Sequence, residues 1–220
     1  IATVGILRLG KMGGPMARHI IAKGYKVVGY DPSPEACRAT AALGARIAAS
    51  PREVAQASQL VIIVVGFDSE VESVLYGRDG ALEGAKPGLV VAQGSTLAPH
   101  YATQLAERLL ERQVVLLDIP LTRGEAAAVA GKLLILGAGD ETAFEACRPV
   151  FSSFASDVFH LGAAGAGQVG KMVNNLILWA CTAANDEGLR LGEALGIDAG
   201  KMRQALHRSS AQNWAMDERA

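Results

Sequence analysis

"ILRLGKMGGPM", residues 6–16, follows a β-branched run and opens a helical pattern. In a dinucleotide-binding turn, G-x-G-x-x-G, the first glycine makes the tight turn, the second lets the backbone approach the pyrophosphate, and the third allows close packing of helix on strand. Gly10 and Gly13 occupy the second and third positions, whereas Arg8 replaces the first. The stretch therefore predicts a cofactor-binding turn, with a glycine-rich turn of another α/β protein as the alternative.

An acidic residue ends the second predicted strand, "KVVGYD". At this point of a dinucleotide-binding unit a carboxylate binds the ribose hydroxyls of the cofactor. Asp31 fills that position, and its negative charge disfavours a 2′-phosphate, which favours NAD over NADP. The alternative is an aspartate that only initiates a turn before Pro32.

Apolar strand-like runs alternate with helical patterns up to about residue 162. The run "LVIIVV", residues 60–65, is typical of a strand that is buried on both faces of a parallel sheet. Further strands are predicted at 114–121 and 132–139, and a helix from Glu141 to Phe151. This order predicts an α/β fold with a Rossmann-like, doubly wound, mostly parallel sheet, which makes residues 1–162 a dinucleotide-binding domain.

A helical pattern without strand signals follows, and we expect residues 163–220 to be the first, truncated part of an all-α domain. Lys171 and Asn175 lie one turn apart on its long first helix and so share a face. A lysine near a domain junction can give a proton to a carbonyl oxygen while a hydride arrives at carbon. The alternative is a solvated lysine at a helix start.

Composition excludes several partner classes. The chain has 220 residues, a formal net charge of −1 and no basic cluster, which argues against nucleic acid or an anionic membrane as a partner. Its three cysteines are far apart without metal-ligand spacing, so we expect no metal site and a cytoplasmic protein with reduced thiols.

Several stretches together resemble the β-hydroxyacid dehydrogenases, the family of 3-hydroxyisobutyrate dehydrogenase, tartronate semialdehyde reductase, L-threonate dehydrogenase and sulfolactaldehyde reductase. In order along the chain, they are "LGKMGGPMA" (9–17), "GYDPSP" (29–34), "GSTLAP" (94–99), "DIPLTRGEAAAVAGKL" (118–133) and "GAGQVGKMVNN" (165–175). The resemblance runs the whole length of the chain and implies an NAD(P)-dependent oxidoreductase that acts on a small β-hydroxy acid or its semialdehyde.

The resemblance also implies roles by position. The catalytic general acid/base is Lys171. The residues implied to bind the cofactor, NAD with NADP as the other option, are Leu9, Gly10, Lys11, Met12, Gly13, Asp31, Val65, Gly66 and Thr96. The residues implied to bind the substrate are Thr122, Arg123, Gly124 and Asn175. Family members build oligomers with the long helix, so we expect a homo-oligomer from the full-length protein.

Departures from the family pattern leave alternatives open. Arg123 replaces a glycine and is either a clamp for an anionic head group or a surface arginine. Arg8 either strains the turn, or its guanidinium turns to solvent or onto a phosphate. Arg8 also keeps a second function open, a catalytically impaired or non-enzymatic relative of the family. A third is an imine reductase on the same scaffold, against which Lys171 counts.

Overall fold

A computed structural model describes residues 1–217 of the chain. The strands are β1 (Thr3–Leu7), β2 (Lys26–Tyr30), β3 (Arg46–Ile47), β4 (Leu60–Ile63), β5 (Val90–Gln93), β6 (Val115–Asp118), β7 (Leu121–Thr122), β8 (Leu133–Gly139) and β9 (Ala155–His160). The helices are α1 (Gly13–Ala22), α2 (Pro34–Ala41), α3 (Pro51–Ala57), α4 (Asp68–Tyr76), α5 (Ala81–Gly84), α6 (Pro99–Leu110), α7 (Gly124–Ala130), α8 (Glu141–Phe151), α9 (Ala166–Ala194), α10 (Ala199–Leu206) and α11 (Trp214–Asp217).

The strands form one sheet in the order β3-β2-β1-β4-β5-β6-β8-β7, with β9 paired to β8. All pairings from β3 to β6 are parallel, whereas β8 runs antiparallel to β6 and β7. The strand order reverses between β1 and β4, and in such sheets ligands bind beyond the carboxyl ends of the strands at that point. The predicted Rossmann-like, mostly parallel fold is confirmed.

Two apolar clusters cover the two faces of the sheet. Successive strand residues alternate between them, so that Ile6 joins one cluster and Leu7 the other. The first cluster also receives Met16 from α1 and Phe144 from α8, and the second receives Leu105 from α6. Each central strand is therefore buried on both sides, as the continuous apolar runs predicted.

The predicted single strand 114–121 is wrong. It is interrupted after Asp118, because Pro120 has no N–H to continue the ladder and the chain then turns into β7, antiparallel to β8. Helix α7 and strand β9 were not predicted at all. Helix α7 follows directly on residues 122–123, and β9 contributes a charged partner, Asp157, to Arg123.

Contacts divide the chain into a first unit, Ile1–Lys171, and a second unit that begins at Met172. Helix α9 starts in the first unit, and we retain the division after residue 162 as a proposal. Residues 218–220, which the proposed second domain includes, lie outside the described part. Within residues 1–217, none of the helices is both long and apolar enough to cross a membrane.

Candidate functional site

A cleft opens at the carboxyl ends of β1 and β4, where the strand order reverses. Its volume is about 370 Å³. The residues that line it are Arg8, Gly10, Lys11, Met12, Gly13, Asp31, Val64, Val65, Gly66 and Glu70. The structure thus brings most of the sequence-predicted cofactor residues to one place, and it adds Glu70, which the sequence did not single out.

The turn between β1 and α1 leaves space for a ligand to contact the protein backbone. A Cβ atom at Gly13 would lie 1.9 Å from the carbonyl oxygen of Arg8, so only glycine fits there. A Cβ atom at Gly10 would meet nothing within 4 Å, which leaves the surface open beside this residue. No side chain caps the start of α1, whose N-cap residue is Met12. An uncapped helix N-terminus behind a glycine turn fits the pyrophosphate of a dinucleotide.

Asp31 holds the turn together with both carboxylate oxygens. Its Oδ2 accepts a hydrogen bond of 2.7 Å from the amide of Leu9, and its Oδ1 accepts one of 2.7 Å from the amide of Ser33. The second bond is the turn-initiating role that the Asp-Pro pair suggested. The same carboxylate also lines the cleft, so this arrangement allows contact with a ribose. That contact stays a prediction.

Arg8 adopts the backbone conformation of the glycine it replaces. Its φ is +79°, in the left-handed region, which costs a residue with a side chain about 1 kcal/mol or more. Its amide still donates to the carbonyl of Tyr30 at 2.9 Å, as the end of β1 requires. The guanidinium turns neither to solvent nor to an empty phosphate position, because Nη2 donates to Oε1 of Glu70 at 2.9 Å. The partner of Arg8 is therefore a carboxylate within the cleft.

The far side of the cleft is formed after β4. The amide of Val65 donates to the hydroxyl of Ser95 at 2.8 Å, which fixes the segment against the end of β5. The amide of Gly66 donates to Oε2 of Glu70 at 2.8 Å. Thr96 is exposed beside the buried Ser95. Its predicted place near the nicotinamide stays a prediction.

Lys171 lies next to the predicted substrate loop. Its Nζ donates to the carbonyl oxygen of Leu121 at 2.7 Å, one residue before Thr122. Partial burial lowers the pKa of Lys171, because the charged ammonium loses water there. A larger neutral fraction is what a general base needs at mild pH.

A buried polar network that the sequence analysis missed anchors the start of α9. Gln168 donates from Nε2 to Asp118 Oδ1 at 2.7 Å and to the carbonyl of Ser95 at 2.9 Å, and its Oε1 accepts from the amide of Leu97 at 2.8 Å. Burial raises the pKa of Asp118 to about 6, against the opposing effect of the hydrogen bonds from Gln168. Both residues stand inside the stretches that carry the family resemblance, which was the available signal.

The loop at residues 122–124 has an unusual backbone. Arg123 and Gly124 both have positive φ, +77° and +72°, where the family pattern has two glycines. The Nη1 atom of Arg123 donates to Asp157 Oδ2 at 2.7 Å and to Ser156 Oγ at 2.9 Å, and this bonding lowers the pKa of Asp157. Since strand β9 already supplies an anion to Arg123, the proposed clamp for a substrate anion requires sharing or exchange of this partner.

Three further residues predicted for the site are Thr122, Lys11 and Asn175, and each has a partner within the protein. Thr122 is buried, with its hydroxyl 3.5 Å from the carbonyl of Leu134. Lys11 is exposed and pairs with Glu125 at 3.3 Å. Asn175 belongs to the second unit, where its Oδ1 accepts from Asn174 at 3.1 Å. Within residues 1–217, no three His, Cys, Asp or Glu side chains are grouped as metal ligands.

Comparisons with known families and proteins agree with this geometry. Residues 3–162 match the family described as the NAD binding domain of 6-phosphogluconate dehydrogenase. Residues 165–220 match the family described as NAD-binding of NADP-dependent 3-hydroxyisobutyrate dehydrogenase. The two matches together include every residue assigned above to the cofactor or the substrate.

Similar curated proteins include two enzymes of Pseudomonas aeruginosa. The NAD-dependent L-serine dehydrogenase is 35% identical over 214 residues, which cover 97% of this chain and 72% of that protein. The 3-hydroxyisobutyrate dehydrogenase is 34% identical over the same length, with the same coverage.

Solved structures show the same fold. The 3-hydroxyisobutyrate dehydrogenase of Mycobacterium tuberculosis, solved with L-serine, has a TM-score of 0.91 at 30% identity and covers 98% of this chain and 73% of that one. An imine reductase of Streptomyces aurantiacus has a TM-score of 0.84 at 22% identity, a likeness of fold alone.

Proposed function

Because this chain belongs to the β-hydroxyacid dehydrogenase family, the NAD(P)-dependent dehydrogenases that act on CH–OH groups, we propose that it oxidises a small β-hydroxy carboxylic acid with NAD and reduces the corresponding semialdehyde. The observation that carries the proposal is Lys171, partly buried and bonded to the residue that precedes the loop 122–124. This contact supports a role for Lys171 as the proton-transfer group of the proposed substrate site. The named activities of two relatives, on L-serine and on 3-hydroxyisobutyrate, support the substrate class.

The residues of the cleft would hold the cofactor at two points. The glycine turn and the uncapped start of α1 would bind the pyrophosphate through backbone N–H groups. Asp31 would accept from the ribose hydroxyls, and its charge would repel the 2′-phosphate of NADP. Val65, Gly66 and Thr96 would follow the cofactor towards the nicotinamide, which when bound supplies the hydride acceptor or donor.

Lys171 would move the proton. In oxidation its neutral Nζ takes the proton of the substrate hydroxyl as a hydride leaves the carbon that bears this hydroxyl. In reduction the ammonium returns the proton to the carbonyl oxygen. The loop residues Thr122, Arg123 and Gly124 would hold the acid group, and the substrate role of Asn175 stays a prediction from the family resemblance. The hydrogen bonds between Gln168 and Asp118 anchor the first turn of α9, the helix that carries Lys171.

The second unit supports the proposal of a homo-oligomer. Several large apolar side chains of α9 are exposed, among them Leu176 at 69%, Ile177 at 58% and Trp179 at 60%. Exposed large apolar side chains grouped on one helix are typical of a surface that contacts another protein segment. Sedimentation at several concentrations tests this proposal.

A substrate panel tests the proposed activity. NADH formation is followed with L-serine, 3-hydroxyisobutyrate and other small β-hydroxy acids, and with an α-hydroxy acid as the control that lacks the β-hydroxyl. We expect turnover with at least one β-hydroxy acid and a preference for NAD over NADP. Reduction of a cyclic imine without turnover of any hydroxy acid would instead favour the imine reductase alternative.

A further inference from the structure

An ion pair lies across the cofactor cleft, between the residue that replaces the turn glycine and the first turn of α4. We propose that the carboxylate of Glu70 competes with the cofactor's pyrophosphate for the guanidinium of Arg8 and the amide of Gly66, so that Glu70 sets the affinity of this protein for its cofactor. The proposal rests on the proposed function, since it requires the cleft to bind a dinucleotide.

The two residues stand where the pyrophosphate is expected. Arg8 and Glu70 line the same cleft as Gly10 and Gly13, at the start of α1. Backbone N–H groups and the positive end of a helix attract an anion to this place. Among the cleft residues, Glu70 brings a negative charge to the side opposite the glycine turn.

The carboxylate already makes the contacts that a phosphate would make. Oε1 accepts from Arg8 Nη2 at 2.9 Å, and Oε2 accepts from the amide of Gly66 at 2.8 Å. A guanidinium and a backbone amide are both common phosphate ligands. Within residues 1–217, the Nε atom of Arg8 is buried without a hydrogen-bond partner, so the pair with Glu70 leaves one donor of this guanidinium unsatisfied.

Glu70 can leave without disrupting the fold. Its side chain is 34% exposed, and α4 places it at the rim of the cleft rather than in either apolar cluster. A half-exposed ion pair contributes little to stability, whereas a doubly charged pyrophosphate binds a guanidinium and amides more strongly. When the dinucleotide binds, Glu70 turns to solvent and the guanidinium of Arg8 contacts the pyrophosphate.

Calorimetric titration with two probes tests this exchange. ADP carries the pyrophosphate, whereas adenosine carries none. The proteins compared are the unaltered chain, Glu70→Gln, Arg8→Gly, the double variant, and Glu145→Gln, a matched control that removes one charge from the Arg148 ion pair outside the cleft. Circular dichroism confirms that each variant is folded.

We expect Glu70→Gln to bind ADP roughly five- to tenfold more tightly, with adenosine affinity unchanged, because only phosphate contacts gain. Adding Arg8→Gly to Glu70→Gln should remove this gain, since the released guanidinium is then absent. Glu145→Gln should bind both probes like the unaltered chain.

Two results would overturn the proposal: ADP affinity that is unchanged or weaker in Glu70→Gln, or ADP binding to the double variant at least as tight as to Glu70→Gln alone. NADH is titrated into the same proteins as a third ligand. Absence of both ADP and NADH binding in every protein, the unaltered chain included, would contradict the proposed function itself, which distinguishes that result from the two above.

Discussion

Gln168 donates two hydrogen bonds to the buried carboxylate of Asp118, from its backbone N–H at 3.0 Å and from its side-chain Nε2 at 2.7 Å. Asp118 ends strand β6, and Gln168 lies in the first turn of α9, one turn before Lys171. The first turn of the helix that carries Lys171 is therefore anchored to a buried carboxylate at the end of β6.

The charge of Asp118 makes stability depend on pH. Burial raises its pKa to about 6, so between its unfolded value near 3.9 and 6 the folded protein holds a proton that the unfolded chain has lost. The contribution of this group to stability is greatest below that window and falls as pH rises through it. Relative to Asp118→Asn, the unaltered protein should lose about 1–3 kcal/mol between pH 4 and pH 7. Urea denaturation of both proteins at several pH values measures this, and parallel curves would show that Asp118 titrates normally.

Arg8 carries backbone strain that glycine would relieve. With φ at +79°, Arg8→Gly should be more stable than Arg8→Ala by about 1 kcal/mol, since both variants lose the ion pair and only alanine keeps a Cβ atom. Thermal unfolding gives the difference. The same two substitutions at the exposed Arg38, inside α2, should give the opposite order, because glycine weakens a helix interior. Equal stability of the two variants at position 8 would argue against strain there.

The carboxylate of Asp31 should select the cofactor. Asp31→Asn removes the charge and keeps an acceptor oxygen for only one of the two amides, of Leu9 or of Ser33, that Asp31 now satisfies. The ratio of the NADPH and NADH dissociation constants should shift roughly tenfold towards NADPH. Fluorescence titration measures both constants, with Glu107→Gln on α6 as a control of equal charge change. An unchanged ratio would mean that Asp31 serves the turn alone.

Burial of Lys171 should appear in the pH profile of oxidation. Its pKa is lowered, so the neutral amine that accepts the hydroxyl proton forms at a lower pH than for a solvated lysine. The ratio kcat/KM for oxidation, which reports the groups of the free enzyme, should therefore rise with pH and level off below the ordinary lysine pKa of about 10.4. An apparent pKa at or above that value would show that the group titrating in the pH profile is not Lys171.

The sequence predicted the parts of the fold that depend on local pattern. The buried run at residues 60–65 indicated a central parallel strand, and the helix predicted from Glu141 to Phe151 has the bounds of α8. Strand β9 was missed because its residues, "ASDVFH", alternate poorly between buried and exposed sides and their pairing with β8 is non-local. The glycine turn and Asp31 could also be located from the sequence, because they directly follow the ends of the predicted strands β1 and β2.

The ion pairs of the site could not be predicted. Arg8 with Glu70 and Arg123 with Asp157 join residues that are far apart in the chain and meet only after the sheet has formed. Both arginines stand where the family pattern has glycine, and the sequence could indicate that these positions are unusual but not which carboxylate compensates for each.

The most direct test of the account is the turnover of Lys171→Ala with the best β-hydroxy acid of the panel, measured together with its NADH affinity. We predict that kcat for oxidation falls about 10²- to 10⁴-fold while the NADH dissociation constant stays within about twofold of that of the unaltered protein. Lys171→Ala that turns over like the unaltered protein would contradict the assignment of Lys171 as the general acid/base.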